Sequence, residues 1–555
     1  MAEIEAPPGG GGVTPAASPG PGPKPRPPRA ESTGRFAALI AIGILVSRVF
    51  GLVRQRVFGH YFGTSDAADA FNAAARIPNF LQNLFGEGVL SASFIPVYAG
   101  LLARGQREEA DRVAGVVGAL LALVTAVLVA LGVLLTPWLV ATVAMGFVGD
   151  KRELTILLVR IMFPGIGLLV WSAWCLGVLN SHRRFLLSYL APVIWNVVMI
   201  AALLWFGRRT VALPRLAVVL AWSAVVGSAL QILVQLPTVL RLAPGIRPSL
   251  DTASEHVRQV VRGFVPVFIG RGVVQISGYI DSDLASLIGS GAVSVFTYAQ
   301  ALYLLPGSLF GMAISAAELP AMSSLTGARD EVSALLRGRL DTGLRRIAFF
   351  IVPSAMAFLA LGDVIASALY RSGRFSHADA IWVWGTLAGS AVGLLASTMG
   401  RLYSSTFYAL RDTRTPLRFA VARVLLTLVL GYLFALPLPR ALGIDARWGV
   451  AGLTASAGIA GWVEFTLLRR ALNARIGRTG LSASYVIRLW ASALAAAAAG
   501  VAVKFAIGVE HAILLAALAL ALYGAIYFGL TAALGVSEGA TLVKRVAGRV
   551  TGRGR

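Results

Sequence analysis

The chain has 555 residues, 57% of them hydrophobic and only 14% charged, with a mean hydropathy of +0.75. A soluble domain carries about 25% charged residues, so a water-soluble globule is excluded and a polytopic membrane protein is required. One cysteine, Cys175, rules out an intramolecular disulfide, the five histidines have no metal-ligand spacing, and the +23 charge sits in short connections between apolar runs, where orientation in a membrane explains it without a nucleic-acid partner.

Residues 1–34 are rich in Pro and Gly, carry Lys24, Arg26 and Arg29, and lack an apolar run, which predicts a disordered cytoplasmic tail and not a cleavable signal peptide. Fourteen membrane-spanning helices are expected near 36–62, 66–103, 111–146, 153–179, 185–207, 213–241, 256–288, 291–325, 341–370, 378–410, 415–440, 447–469, 483–508 and 511–535. Basic residues favour the tails and the connections 104–112, 183–184, 241–262, 329–346, 411–418 and 469–478, which predicts both termini in the cytoplasm. The expected fold is all-α, with about fourteen helices.

The first span is interrupted by Ser47, Arg48, Arg54 and Arg56. In the second, Asp69, Asn72, Arg76, Asn79, Asn83 and Glu87 fall within about a quarter of the helix circumference. An arginine or aspartate at the bilayer centre costs about 2.5–3.5 kcal/mol, so this stripe must face protein or a water-filled cavity. Arg271, Gln275, Gly278 and Ser282 form a second narrow stripe in the seventh span. Pro78, Pro164 and Pro306 interrupt the backbone hydrogen bonding of their helices, and Gly51 and Pro78 are candidate bending points. The connection 241–262 has room for a short interfacial helix. Glu318 and Glu464 are buried-carboxylate candidates without an evident partner, Asp281, Asp283 and Asp363 read as helix-end charges, and Arg488 and Lys504 as snorkelling side chains.

Phe71, Ala74, Leu84, Phe85 and Gly86 recur 225 residues later as Phe296, Ala299, Leu309, Phe310 and Gly311. That interval contains six spans, so the copies share one topology and predict parallel repeats. The domain reading is an N-lobe over 35–242, a C-lobe over 243–478, two appended spans over 479–535 and a basic cytoplasmic tail over 536–555.

Ser47-Arg-Val-Phe-Gly-Leu-Val-Arg54, Asp69-Ala-Phe71, Arg76-Ile-Pro-Asn79, Phe85-Gly-Glu-Gly88 and Phe94-Ile-Pro96 resemble the amino-terminal signature of the MurJ (MviN) family. Tyr408-Ala-Leu-Arg-Asp-Thr-Arg-Thr-Pro416 is similar to that family's loop after the tenth span, and the likeness runs over roughly residues 35–480. The resemblance implies the MOP exporter superfamily, the bacterial cytoplasmic membrane, and a flippase for lipid II, the undecaprenyl-pyrophosphate-linked peptidoglycan precursor, with cell-wall synthesis proteins as potential partners. Two usually basic family positions are Gln82 and Ala301 here, with Gln300 before Ala301, and Thr427 and Gly431 stand where some members bind a cation.

A lipid pyrophosphate leaves water only where cations and donors replace its hydration. Arg48, Arg54, Arg76 and Arg271 are the candidate cations, with Asn72, Asn79, Asn83 and Gln275 for sugar hydroxyls. Asp69 and Glu87 are candidate gating or structural charges. An enzyme is not expected, since no nucleophile–base set, phosphate loop or metal cluster is present, and no cofactor is implied. The alternatives are export of another polyprenyl-linked oligosaccharide or a small cation, and an inactive regulatory paralogue.

Overall fold

The computed structural model describes residues 30–85, 87–209, 212–325, 328–507 and 511–550, and among them there is helix and no strand. The first group of helices comprises α1 (Ala30–Phe62), α2 (Asp66–Phe85), α3 (Glu87–Ala103), α4 (Arg107–Leu134), α5 (Thr136–Val143), α6 (Gly149–Ser181), α7 (Phe185–Phe206) and α8 (Leu213–Leu242). Here α6 is central, packed on α2, α4 and α8, while α1 lies along α7. After α9 (Glu255–Ser286) comes the second group: α10 (Ala292–Pro306), α11 (Ala313–Ser323), α12 (Arg329–Tyr370), α13 (His377–Ala409), α14 (Arg414–Ala435), α15 (Pro437–Ala441) and α16 (Gly449–Ile476). Its centre is α13, packed on α12 and α16; α17 (Ala483–Ile507) and α18 (Ala512–Ala533) lean on α12, and α19 (Ser537–Val550) follows.

Twelve spans among the described residues are long and apolar enough to cross a membrane. The other two of the fourteen expected correspond to α1 and α9, helices of 33 and 32 residues that are not among the twelve. Small residues bring spans close: a Cβ on Gly393 of α13 would lie 2.3 Å from the Gly458 Cα of α16. Without water to drive association, such close backbone approach is a main source of packing energy between spans.

Several local expectations need correction. The third expected span is two helices, because Pro137 at the start of α5 has no amide to continue the α4 ladder. Pro306 is followed by a π-helical turn, Gly307–Met312, that joins α10 to α11. Helix α2 continues through Pro78 to Phe85. The connection after α8 carries no helix: Pro244 and Pro248 disfavour one, and residues 243–254 instead run across the start of α4. There Gly245 N donates to Asp111 Oδ2 at 3.0 Å, Ser254 Oγ to Glu109 Oε1 at 2.5 Å, and Arg112 pairs with Asp251. Helix α1 already begins at Ala30, inside the expected tail, and residues 1–29 lie outside the described structure. The carboxy-terminal tail is largely α19, held by an Arg345–Glu538 ion pair of 3.1 Å.

The charges left without partners in the sequence mostly have them. Glu464 pairs with Arg423 at 3.1 Å and Glu318 with Arg339 at 3.5 Å. Lys504 does not snorkel; its Nζ lies 2.5 Å from Oδ2 of buried Asp363, fixing α17 to α12. Removing one partner of a buried pair costs more than the roughly 0–1 kcal/mol of a surface pair. Lys504→Met is expected to lose about 2 kcal/mol, read as a lower unfolding temperature in detergent, with Lys504→Met/Asp363→Leu recovering most of it.

Candidate functional site: an arginine-lined cavity and a carboxylate latch

A cavity of about 490 Å³ opens between the two groups of helices. Its walls are Ser47, Arg48, Gly51, Leu52, Arg54 and Gln55 of α1, Tyr189 and Pro192 of α7, and Ala301, Leu304 and Leu305 of α10. Arg48 and Arg54 are six residues apart, about 9 Å along the axis, and both reach the same space. Among the described residues no carboxylate lines it. Arg48 is exposed, while Arg54 donates from Nε to Asn196 Oδ1 at 3.0 Å and lies 5.2 Å from the centre of the Trp195 ring. Neither arginine is in an ion pair among the described residues. Arg56, by contrast, is spent on structure: its Nη1 donates to the Ala368 and Leu369 carbonyls at 2.6 and 2.8 Å, closing the end of α12.

Arg76 lies outside this cavity's lining. It crosses from α2 to α10, where Nη2 donates to Thr297 Oγ1 at 3.3 Å and the guanidinium covers the Phe296 ring at 5.1 Å. Its carbonyl accepts from the Tyr279 hydroxyl of α9. Asn79 and Asn83 are exposed on α2, whereas Asn72 is buried and donates to Ser294 Oγ at 3.2 Å, so it is not available to a sugar. The side chains of Arg271, Gln275, Pro78 and Glu87 lie outside the described residues, although their backbones are helical.

Beyond Arg76 the two groups of helices are joined by a latch. Asp69 is fully buried at the start of α2. Its Oδ2 accepts from Lys151 Nζ and from Gly291 N, both at 2.7 Å, and its Oδ1 accepts from Ser294 N at 2.8 Å and Ser294 Oγ at 2.7 Å. The four bonds satisfy a carboxylate that burial would otherwise penalise heavily. Gly291 and Ser294 belong to the first turn of α10, whose amides and dipole suit an anion. Gly291 has φ 83°, a conformation glycine adopts without strain, and a Cβ there would meet Thr64 O at 2.7 Å. Lys151 also reaches Asp66 Oδ1 at 2.8 Å, Thr64 Oγ1 donates to Asp379 Oδ1 at 2.6 Å, and Arg374 N donates to His60 O at 2.9 Å. The sequence marked Asp69 as a gating charge; Lys151, Ser294 and Gly291 went unread. Two acidic groups, Asp66 and Asp69, on one turn without a local base were the available signal for a remote cation.

Two bundles of membrane-spanning helices flanking a polar cavity, and joined to one side of it by buried hydrogen bonds, define a polytopic membrane protein built around a polar space. The fold is similar to a solved lipid II flippase MurJ in its inward closed conformation, with TM-score 0.73, 22% identity, and coverage of 90% of this chain and 98% of that one. It is also similar to an inward-facing MATE family transporter of the MOP superfamily, with TM-score 0.60, 18% identity, and coverage of 79% and 98%. The family model for lipid II flippase MurJ matches residues 58–524, and the chain belongs to that family. It is 33% identical over 450 residues to the lipid II flippase MurJ of Burkholderia cenocepacia, covering 79% of this chain and 84% of the relative. A probable lipid II flippase MurJ of Vibrio cholerae is 30% identical over 451 residues, covering 78% and 82%.

Asp69→Asn keeps the shape but removes the charge that Lys151 faces. The expected result is several-fold faster labelling of Ala301→Cys by a membrane-impermeant maleimide applied at the latched face; Cys175 is buried and gives little background. Unchanged labelling would show that the carboxylate does not hold this end shut.

Proposed function

We propose that this protein is a flippase that carries lipid II from the inner to the outer leaflet of the bacterial cytoplasmic membrane. The observation that carries the reading is the cavity between the two groups of helices, lined by Arg48 and Arg54 and, among the described residues, by no carboxylate. Two guanidiniums facing a membrane-embedded space, with no ion pair among the described residues, call for an anionic guest, and a pyrophosphate suits their donor geometry. Ala301 is on the α10 wall of the same cavity, so among the described lining residues the positive charge is carried by α1. Asn79 and Asn83 remain exposed for saccharide hydroxyls. The prenyl chain needs no polar path and stays in lipid.

In this reading both termini are cytoplasmic, the latched end faces outward, and the two lobes rock to give alternating access. Moving two negative charges outward is favoured by an inside-negative potential, by about 4–5 kcal/mol at 100 mV if the full field is crossed, so the potential alone can drive export. Docking of cell-wall synthesis proteins belongs to the same reading and would be met at the cytoplasmic loops.

Growth rescue of cells depleted of their own lipid II flippase tests the substrate; failure of the parent chain to rescue would sink it. Arg48→Ala and Arg54→Ala are each expected to lower lipid II export about 10- to 100-fold, the loss of one charge-assisted hydrogen-bond donor. Arg56→Ala, at a helix end, should act through stability instead. Dissipating the membrane potential should slow export, and an unaffected rate would remove the electrical drive.

A further inference from the structure

The two lobes end their fourth spans with the same turn. After α6, His182 N donates to Val178 O at 3.1 Å, Arg183 N to Asn180 O at 3.0 Å and Arg184 N to Leu179 O at 2.9 Å. After α13, Leu410 N donates to Thr406 O at 3.1 Å, Arg411 N to Tyr408 O at 3.0 Å and Asp412 N to Phe407 O at 2.9 Å. Arg183 and Arg411 are both left-handed, with φ 59° and 58°, and are the positive-φ non-glycine residues of the described chain. The turns therefore superpose residue for residue, and Arg184 stands where the other lobe has Asp412.

In the second lobe that position completes an anion site from within the chain. Asp412 Oδ1 accepts from Arg414 N at 2.9 Å and Thr415 N at 3.0 Å, and Oδ2 from Thr415 Oγ1 at 2.6 Å, all at the start of α14. Arg475, the penultimate residue of α16, approaches Oδ2 to 2.6 Å. The Thr415 hydroxyl and amide, with Arg475, hold this carboxyl below the ordinary range. In the first lobe the carboxylate is replaced by Arg184, while the penultimate residue of α8 is again basic, Arg241. The start of α7 has no side-chain cap. Between them is a cavity of about 490 Å³ lined by Arg183, Arg184, Arg241 and Thr238, with an apolar floor of Leu186 and Leu187. No ion pair engages these arginines among the described residues.

We propose that this cavity binds the phosphate of an anionic membrane phospholipid, which takes the place that Asp412 fills in the other lobe. Three guanidiniums and a threonine hydroxyl match a phosphodiester, and the leucines beside them match the first methylenes of the acyl chains. The site lies at a span end, at headgroup depth, and is separate from the Arg48–Arg54 cavity, since the two share no lining residue. It locks lipid to the lobe as a structural anion and takes no part in the transported path.

The test is native mass spectrometry of the full chain released from phosphatidylcholine nanodiscs containing a minor share of phosphatidylglycerol. The parent protein should retain phosphatidylglycerol, and Arg241→Gln should weaken retention about tenfold. Arg184→Asp supplies the carboxylate that Asp412 supplies and should abolish retention while leaving the unfolding temperature equal or higher. The second variant separates lost binding from lost folding. Retention by both variants at the parent level would overturn the proposal. Displacement of the lipid by inorganic phosphate at comparable concentration would overturn the assignment to a phospholipid.

Discussion

A buried carboxylate bonded across two bundles sets the shape of everything near it. Asp69 has no contact with solvent, and every strong donor it has besides Lys151 comes from the first turn of α10 in the opposite bundle. An anion in that position is stable only while those donors stay within hydrogen-bond reach, so the two bundles are either joined here or must rehydrate the charge. Intermediate separations are penalised, which makes the contact bistable and not gradually adjustable. The lining of the Arg48–Arg54 cavity lies further along α1 and α10 than this latch.

The distribution of charge then divides the arginines by task. Arg56 ends α12, Arg345 holds α19, and Arg423 and Arg475 neutralise Glu464 and Asp412. Among the described residues Arg48 and Arg54 make no ion pair, and the side-chain bond of Arg76 goes to the neutral Thr297. In a medium where an uncompensated cation is expensive, side chains that forgo a carboxylate mark the places where a ligand or water supplies the counterpart. The comparison of Arg184 with Asp412 applies the same reasoning to the headgroup region.

Much of this was legible from local pattern. Helix positions followed from apolar runs, the polar stripe of α2 from a 100° spacing, and the family from contiguous motifs around Arg48, Asp69 and Arg76. What the sequence did not reveal were partners distant in the chain: Lys151 lies 82 residues from Asp69, and Ser294 lies 225 away. Periodicity places a side chain on a face but does not say which helix meets that face. Asn72 and Asn79 share one stripe, yet one is consumed by Ser294 and the other is exposed. The connection after α8 differs for a simpler reason, since its mix of basic and acidic residues left room for a short interfacial helix while Pro244 and Pro248 disfavour one.

Helix α9 belongs to neither bundle alone. Its earlier turns pack on α3 and α4, with Phe264 and Phe268 against Phe85 at 5.8 and 5.1 Å, while its last turns meet α10, α14 and α16 on one side and α2 on the other, where Tyr279 bonds the Arg76 carbonyl. A rod held on two sides by different bodies cannot follow both when those bodies turn. Any rocking of the two bundles would therefore have to part α9 from one of them along its last turns, and the contacts given up there would set how far the two halves can swing.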